Sequence, residues 1–155
     1  MKRFGKIVSV AALVVVAVMC VVFASACGAL TLPEGSYSGT YTYTSEGTTY
    51  GYVAKFDVDE NNTIWDVTFE APENATAPGV GMLPWDISKF TEQFSSEWTV
   101  DQLMKIVVEV KDNVPTGEID YSETGKTLTV NATYSVGNAA AILAMQNAVN
   151  AELDA

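Results

Sequence analysis

The sequence predicts an α+β domain: a mainly antiparallel twisted sheet with one or two packing helices and a C-terminal helix. Three observations carry this. Between Tyr37 and Ala71 apolar and polar residues alternate in three runs separated by turn residues, the period of half-buried strands. From Ile87 to Trp98 the aromatics Phe90, Phe94 and Trp98 recur at spacings of three and four, and after Asn138 so do Ile142, Met145, Val149 and Leu153. That is the stripe of an amphipathic helix.

The first 26 residues stand apart. Lys2, Arg3 and Lys6 precede an apolar run from Ile7 to Phe23, and Ala24-Ser25-Ala26-Cys27 closes it with small residues. This reads as a secretory signal peptide over 1–26, with a run long enough for an uncleaved membrane anchor as the alternative. Ala24-Ser25-Ala26 before Cys27 resembles a bacterial lipobox, with Ala24 where Leu is usual. On that reading Cys27 is lipidated and residues 27–35 form a lipid-anchored tether, placing the domain of residues 36–155 outside the cytoplasm on the bacterial cell membrane.

Removing the leader leaves 129 of the 155 residues, enough for one modest core. Three of the eight basic residues go with it, so five lysines face nineteen carboxylates, a net charge of −14 with no Arg and no His. Nucleic acid is excluded as a partner, because binding its backbone takes clustered cations. Without His, Ser-His and Cys-His nucleophilic sites cannot be built. Cys20 and Cys27 leave the domain no disulfide framework and no zinc site. No catalytic residue is assigned.

Along the chain, Tyr41 and Tyr43 face one way in a first strand and Thr40, Thr42 and Thr44 the other, with a turn at Ser45-Glu46-Gly47. Tyr50, Tyr52, Ala54, Phe56 and Val58 share a face of a second strand. After Asp59-Glu60-Asn61-Asn62, Trp65, Val67, Phe69 and Ala71 are expected to share the apolar face of a third. Asp57, Asp59, Asn61 and Thr63 mimic calcium-loop spacing, but Asn62 and Thr68 replace its Gly and Glu, so a hairpin turn is the better reading.

Residues 71–85 form a Pro/Gly loop, and Trp85 to Trp98 a helix whose aromatics belong to the core, with Trp85, Phe90 or Trp98 as ring-stacking candidates. Thr99 with Gln102 has the spacing of a capping box and starts a short helix. Ile106 to Lys111 is β-branched and reads as a strand. Asp112 to Gly125 is expected to be loop, turning at Pro115-Thr116-Gly117 and Glu123-Thr124-Gly125. Thr127 to Ala132 alternates as a last strand, and Ser135 or Asn138 is expected to cap the terminal helix.

Two segments then carry a resemblance. Val130-Asn131-Ala132-Thr133-Tyr134-Ser135 before an Ala-rich helix resembles the Ser-Gly-Ala-Thr-x-Thr/Ser segment of the FMN-binding domain family, with Val130-Asn131 in place of Ser-Gly and no Asp just upstream. Thr76-Ala77-Pro78-Gly79-Val80-Gly81 is similar to that family's Thr-Pro-Gly-x-Gly loop, with one extra Ala. The family occurs in flavin subunits of sodium-pumping respiratory complexes and in extracytoplasmic electron-transfer lipoproteins.

The resemblance implies FMN as cofactor, held through its phosphate at Thr133 with Ser135 nearby, covalently in the flavinylated members. It implies that Thr76, Pro78, Gly79 and Gly81 line the ring, and that a redox partner protein exchanges electrons with it. The residues alone read equally well as a strand, a turn and a packing helix without ligand. The alternative function is a flavin-free member serving as an acidic surface lipoprotein that binds another protein.

Overall fold

The computed structural model describes residues 28–70 and 84–155, and for 84–88 the backbone alone. The leader, Cys27 and the loop residues Thr76, Pro78, Gly79 and Gly81 lie outside the described residues. The order of elements is β1 (Gly35–Ser45), β2 (Thr48–Val58), β3 (Ile64–Glu70), α1 (Pro84–Phe94), α2 (Val100–Met104), β4 (Val107–Lys111), β5 (Val114–Asp120), two 3-10 turns (Ser122–Thr124 and Ala132–Tyr134) and α3 (Ser135–Leu153). The α+β expectation holds: β1-β2-β3 is one antiparallel sheet and β4-β5 a separate antiparallel hairpin.

Two-residue turns close the β1-β2 and β4-β5 hairpins. Glu46 and Gly47 have φ of 50° and 78°, between the paired residues Ser45 and Thr48. Asp112 and Asn113 have φ of 52° and 65°, between Lys111 and Val114. Positive φ at both central residues matches the right-handed twist of the flanking strands. The second turn corrects the expected loop over residues 112–125. Asn and Asp tolerate the left-handed region, so the chain reverses there, and Val114–Asp120 becomes a strand with Pro115 and Gly117 inside it. A register irregularity between Val108 and Val110 lets β5 accommodate the extra residues around Gly117, whose φ is +93°.

β3 departs from its expected parity. Val67 and Phe69 are buried, but Trp65 is 42% exposed and Ile64 is the buried neighbour. The cause is a bulge: Lys55 pairs with Thr68 and Asp57 with Trp65, so β3 carries one more residue than β2 there. Asp66 absorbs it at φ 48°. An odd insertion in a period-2 element turns every residue beyond it to the other face.

α1 also ends earlier than the aromatic spacing suggests, at Phe94, and Ser96 at φ 64° breaks the chain away. The core reading of its aromatics holds for Phe90, Phe94 and Trp98, all buried. Their rings form a continuous row with Phe69, at 5.8, 5.4 and 5.2 Å between successive centroids, which seats α1 on β3. The capping box at α2 is present in full: Gln102 N–H donates to Thr99 Oγ1 (3.2 Å) and Thr99 N–H to Gln102 Oε1 (3.0 Å).

α3 is not a one-sided helix. Gly137 to Ile142, Ala144 to Gln146 and Ala148 to Asn150 are all buried, because the helix touches β1 and β2 of the sheet, β4 and β5 of the hairpin, and α2. Alanine needs little room and loses no rotamer freedom, so an Ala-rich helix can be enclosed by both layers. Close approach is required at one point, where a Cβ on Gly39 of β1 would collide with the carbonyl of Ala144 and the N–H of Ala148. Gln146, fully enclosed, donates Nε2–H to the carbonyls of Leu103 (3.1 Å) and Ile106 (2.8 Å) and so satisfies the end of α2.

The stretch read as a tether is fastened at its end. Leu30 N–H donates to Asp101 Oδ1 (2.9 Å), Leu32 N–H to Asn62 Oδ1 (3.0 Å), and Leu32 is buried. No described helix is long and apolar enough to cross a membrane.

Candidate functional site

The site is built on the chain leading into α3. Residues 127–131 alternate in burial as expected, with Leu128 buried and Thr127, Thr129 and Asn131 exposed, yet they form no strand. Among the described residues no strand pairs with them. Instead the carboxamide of Gln93 on α1 takes both backbone groups of Thr129: Thr129 N–H donates to Gln93 Oε1 (2.6 Å) and Gln93 Nε2–H to Thr129 O (3.0 Å). Four residues along, Glu97 lies 3.7 Å from the ammonium of Lys126.

Asn131 then turns the chain. Its Oδ1 accepts from Thr133 N–H (2.9 Å) and its carbonyl from Tyr134 N–H (3.0 Å), a side-chain-closed turn of the kind Asn favours. This puts Thr133 in the 3-10 turn with its side chain exposed, two residues ahead of the first residue of α3.

The expected capping by Ser135 or Asn138 is not found. Tyr134 occupies the cap position with no side-chain hydrogen bond, and Ser135 and Asn138 are already helical. The asparagine that does cap is Asn131, one turn earlier, on the 3-10 segment. Ser135 is half-buried against Gly117 of β5, where a Cβ would meet its Oγ. Asn138 is buried, and its Oδ1 has no protein partner.

The 19-residue helix α3 therefore begins with no charged residue in its first turn and no side-chain cap. Such an end carries partial positive charge and directs N–H groups outward. A phosphate at Thr133 would meet these groups and no Arg or His, since the chain has none beyond Arg3. Among the described residues no group of His, Cys, Asp and Glu is arranged to hold a metal ion. Asp59, second in the calcium-like spacing, spends its carboxylate on the turn itself, accepting from Asn61 N–H (2.9 Å), Thr63 N–H (2.9 Å) and Trp65 Nε1–H (2.8 Å).

Of the residues singled out from the sequence, Thr133 and Ser135 stand together at the start of α3. The sequence reading missed Gln93, Asn131 and Gly117. Asn131 had a legible signal, an Asn two residues before an exposed Thr, which is the spacing of a side-chain turn. Gln93 had none, for a glutamine on a helix face looks like any solvated residue. No family model matches this chain, and neither a curated protein nor a solved structure is found to match it.

Proposed function

We propose that the chain is an extracytoplasmic, membrane-anchored FMN-binding domain that acts as an electron carrier. The observation that carries this reading is the exposed Thr133 just ahead of the uncapped start of α3. It supports the reading because a phosphate monoester needs N–H donors and a positive dipole, and no side chain caps the start of α3. The two segments that resemble the FMN-binding domain family add the flavin to the anion.

If the flavin is covalent, the bond is a phosphoester to Thr133 Oγ1. Free FMN would have to expel water, so the donor is a flavin dinucleotide. The Thr133 oxygen attacks the flavin-bearing phosphorus, the P–O bond of the anhydride breaks, and a nucleoside monophosphate leaves with the electron pair. The hydroxyl proton passes to solvent, and nothing is oxidised. Bound flavin supplies reversible uptake of one or two electrons, while the protein holds the phosphate and tunes the potential with its dipoles. Thr76, Pro78, Gly79 and Gly81 would edge the ring, and Cys27 would carry the lipid.

A second reading is an acidic surface lipoprotein without flavin that binds another protein, and the exposed Trp65 beside Asp59 favours it. The test is the visible spectrum and intact mass of the chain starting at residue 27 with Cys27→Ser, produced with a flavin transferase. A flavin spectrum with the matching mass increase, lost in Thr133→Ala, is expected. A colourless protein of unmodified mass that retains no added FMN would leave the second reading in front.

A further inference from the structure

Resting on the FMN-binding reading, we infer that Gln93 is a positioning residue: its carboxamide holds the acceptor segment so that Thr133 is presented to the flavin. Residues 127–131 have the pattern of a strand, but among the described residues no strand pairs with them. The two bonds from Gln93 to Thr129, 2.6 and 3.0 Å, reproduce what a facing residue in an antiparallel pair would supply, one donor and one acceptor. Only a side chain carrying both on one head can do this, and Gln or Asn are the neutral ones.

Among the described residues the segment is also held by apolar packing, with Val130 and Tyr134 half-buried against the core on either side of Thr133. Leu128 is buried in the core, and the Lys126–Glu97 contact is a surface pair at 3.7 Å, the kind that contributes little. Among the described residues Thr129 is the last position before the Asn131 turn whose backbone groups are held by another element.

Gln93 stands on α1 (Pro84–Phe94), and Thr129 leads within four residues to Thr133. One carboxamide thus links α1 to the segment that bears the proposed phosphate acceptor. A shift of about 1 Å in a reacting group can lower a rate on the order of 100-fold, so loss of the latch should show in flavin loading before it shows in folding.

The experiment uses the full-length chain expressed without a flavin transferase and purified flavin-free in detergent, with transferase and flavin dinucleotide added afterwards. Flavin loading is followed by intact mass against time at saturating transferase, and backbone exchange at Thr129 by hydrogen–deuterium exchange in flavin-free protein. For Gln93→Ala the expected result is loading slowed roughly 10-fold to 100-fold and faster exchange at Thr129, with the unfolding midpoint little changed. Gln93→Glu keeps an acceptor for Thr129 N–H and loses the donor, so its loading should fall between wild type and Gln93→Ala. Loading of Gln93→Ala at the wild-type rate, or unchanged exchange at Thr129, overturns the inference. A slowed Gln93→Ala that has also lost its unfolding midpoint, with Gln93→Glu loading normally, assigns Gln93 to folding alone and overturns it too. Wild-type protein that takes no flavin overturns the FMN reading itself, a result distinct from all of these.

Discussion

The Cα of Gly39 on β1 lies so close to Ala148 on α3 that no side chain fits between strand and helix. The colliding atoms would be the helix backbone and the Ala148 methyl, and backbone cannot rotate out of the way. Gly39→Ala should therefore force β1 and α3 apart along their whole contact. Overpacking of this kind costs about 1–3 kcal/mol, more where nothing can yield. Urea unfolding is expected to show a loss near the upper end of that range, and a change below about 0.5 kcal/mol, the size of an ordinary surface substitution, would contradict the close approach.

Two buried amides on α3, one turn apart, should respond in opposite ways. Gln146 satisfies the carbonyls of Leu103 and Ile106. Gln146→Leu takes the donor from the carbonyl of Ile106, while that of Leu103 still accepts from the N–H of Ile106 (3.2 Å), and one such buried orphan costs about 1–3 kcal/mol. Asn150 is buried with neither of its amide atoms hydrogen-bonded within the protein. Asn150→Ala gives up no bond and gains helix propensity, so it should be neutral or stabilise by up to about 1 kcal/mol. Denaturant midpoints moving in the same direction for both variants would contradict this assignment.

What was legible in the sequence follows from which signals are local. The inward faces of β1 and β2 could be read because alternation reports burial directly, and the Thr99–Gln102 box because a cap needs only four residues. The bulge at Asp66 was hidden, since nothing local announces an extra residue, and it turned Trp65 from the expected core face to solvent. Pro115 and Gly117 drew the expected turn away from Asp112-Asn113, where the left-handed tolerance of Asp and Asn placed it. α3 looked one-sided because alanine barely registers in an apolar stripe, and only the second layer, β4-β5, shows why the alanines are enclosed. At the candidate site Thr133 could be found from its neighbours in sequence. Gln93 could not, because its partner Thr129 is 36 residues away.

Acid should act through Asp59. The backbone N–H of Thr63, the indole of Trp65 and the N–H of Asn61 all favour its ionised form and hold its pKa below the ordinary 3.8. A carboxylate depressed in the folded state contributes stability that is present above the unfolded value and lost as pH falls through the folded one. Asp59→Asn should thus narrow the difference in stability between neutral pH and the region below 3.8, measured by urea unfolding across that range. Trp65→Phe, which removes one donor, should move the Asp59 titration upward without unfolding the β2-β3 turn. If Asp59 followed by NMR titrates at 3.8 in the folded wild type, the turn is not held as described.

Alkali should act through Tyr41. Its hydroxyl donates to the carbonyl of Asn113 at 2.9 Å, which ties β1 to the β4-β5 turn. Burial, and then the neighbouring Tyr43, push its pKa up to about 12 from 10.0. Tyr52, completely enclosed, is likewise raised, first by burial. A group whose folded pKa is raised contributes stability that is complete below the unfolded value and is lost as pH rises through the folded one. Between pH 10 and about 12 the unfolded chain sheds protons that the folded chain retains, so stability should fall across that window. Absorbance from these two tyrosinates should appear together with loss of tertiary circular dichroism, not before it. Tyr41→Phe loses the Asn113 bond and is expected to be less stable at neutral pH by about 1 kcal/mol, the net worth of one hydrogen bond. Its decline above pH 10 should also be shallower, because one of the raised phenols that drive it is gone. Ionisation of Tyr41 near 10.0 in a protein that keeps its tertiary signal would show that the phenol is open to water and that β1 is not closed over by the hairpin turn.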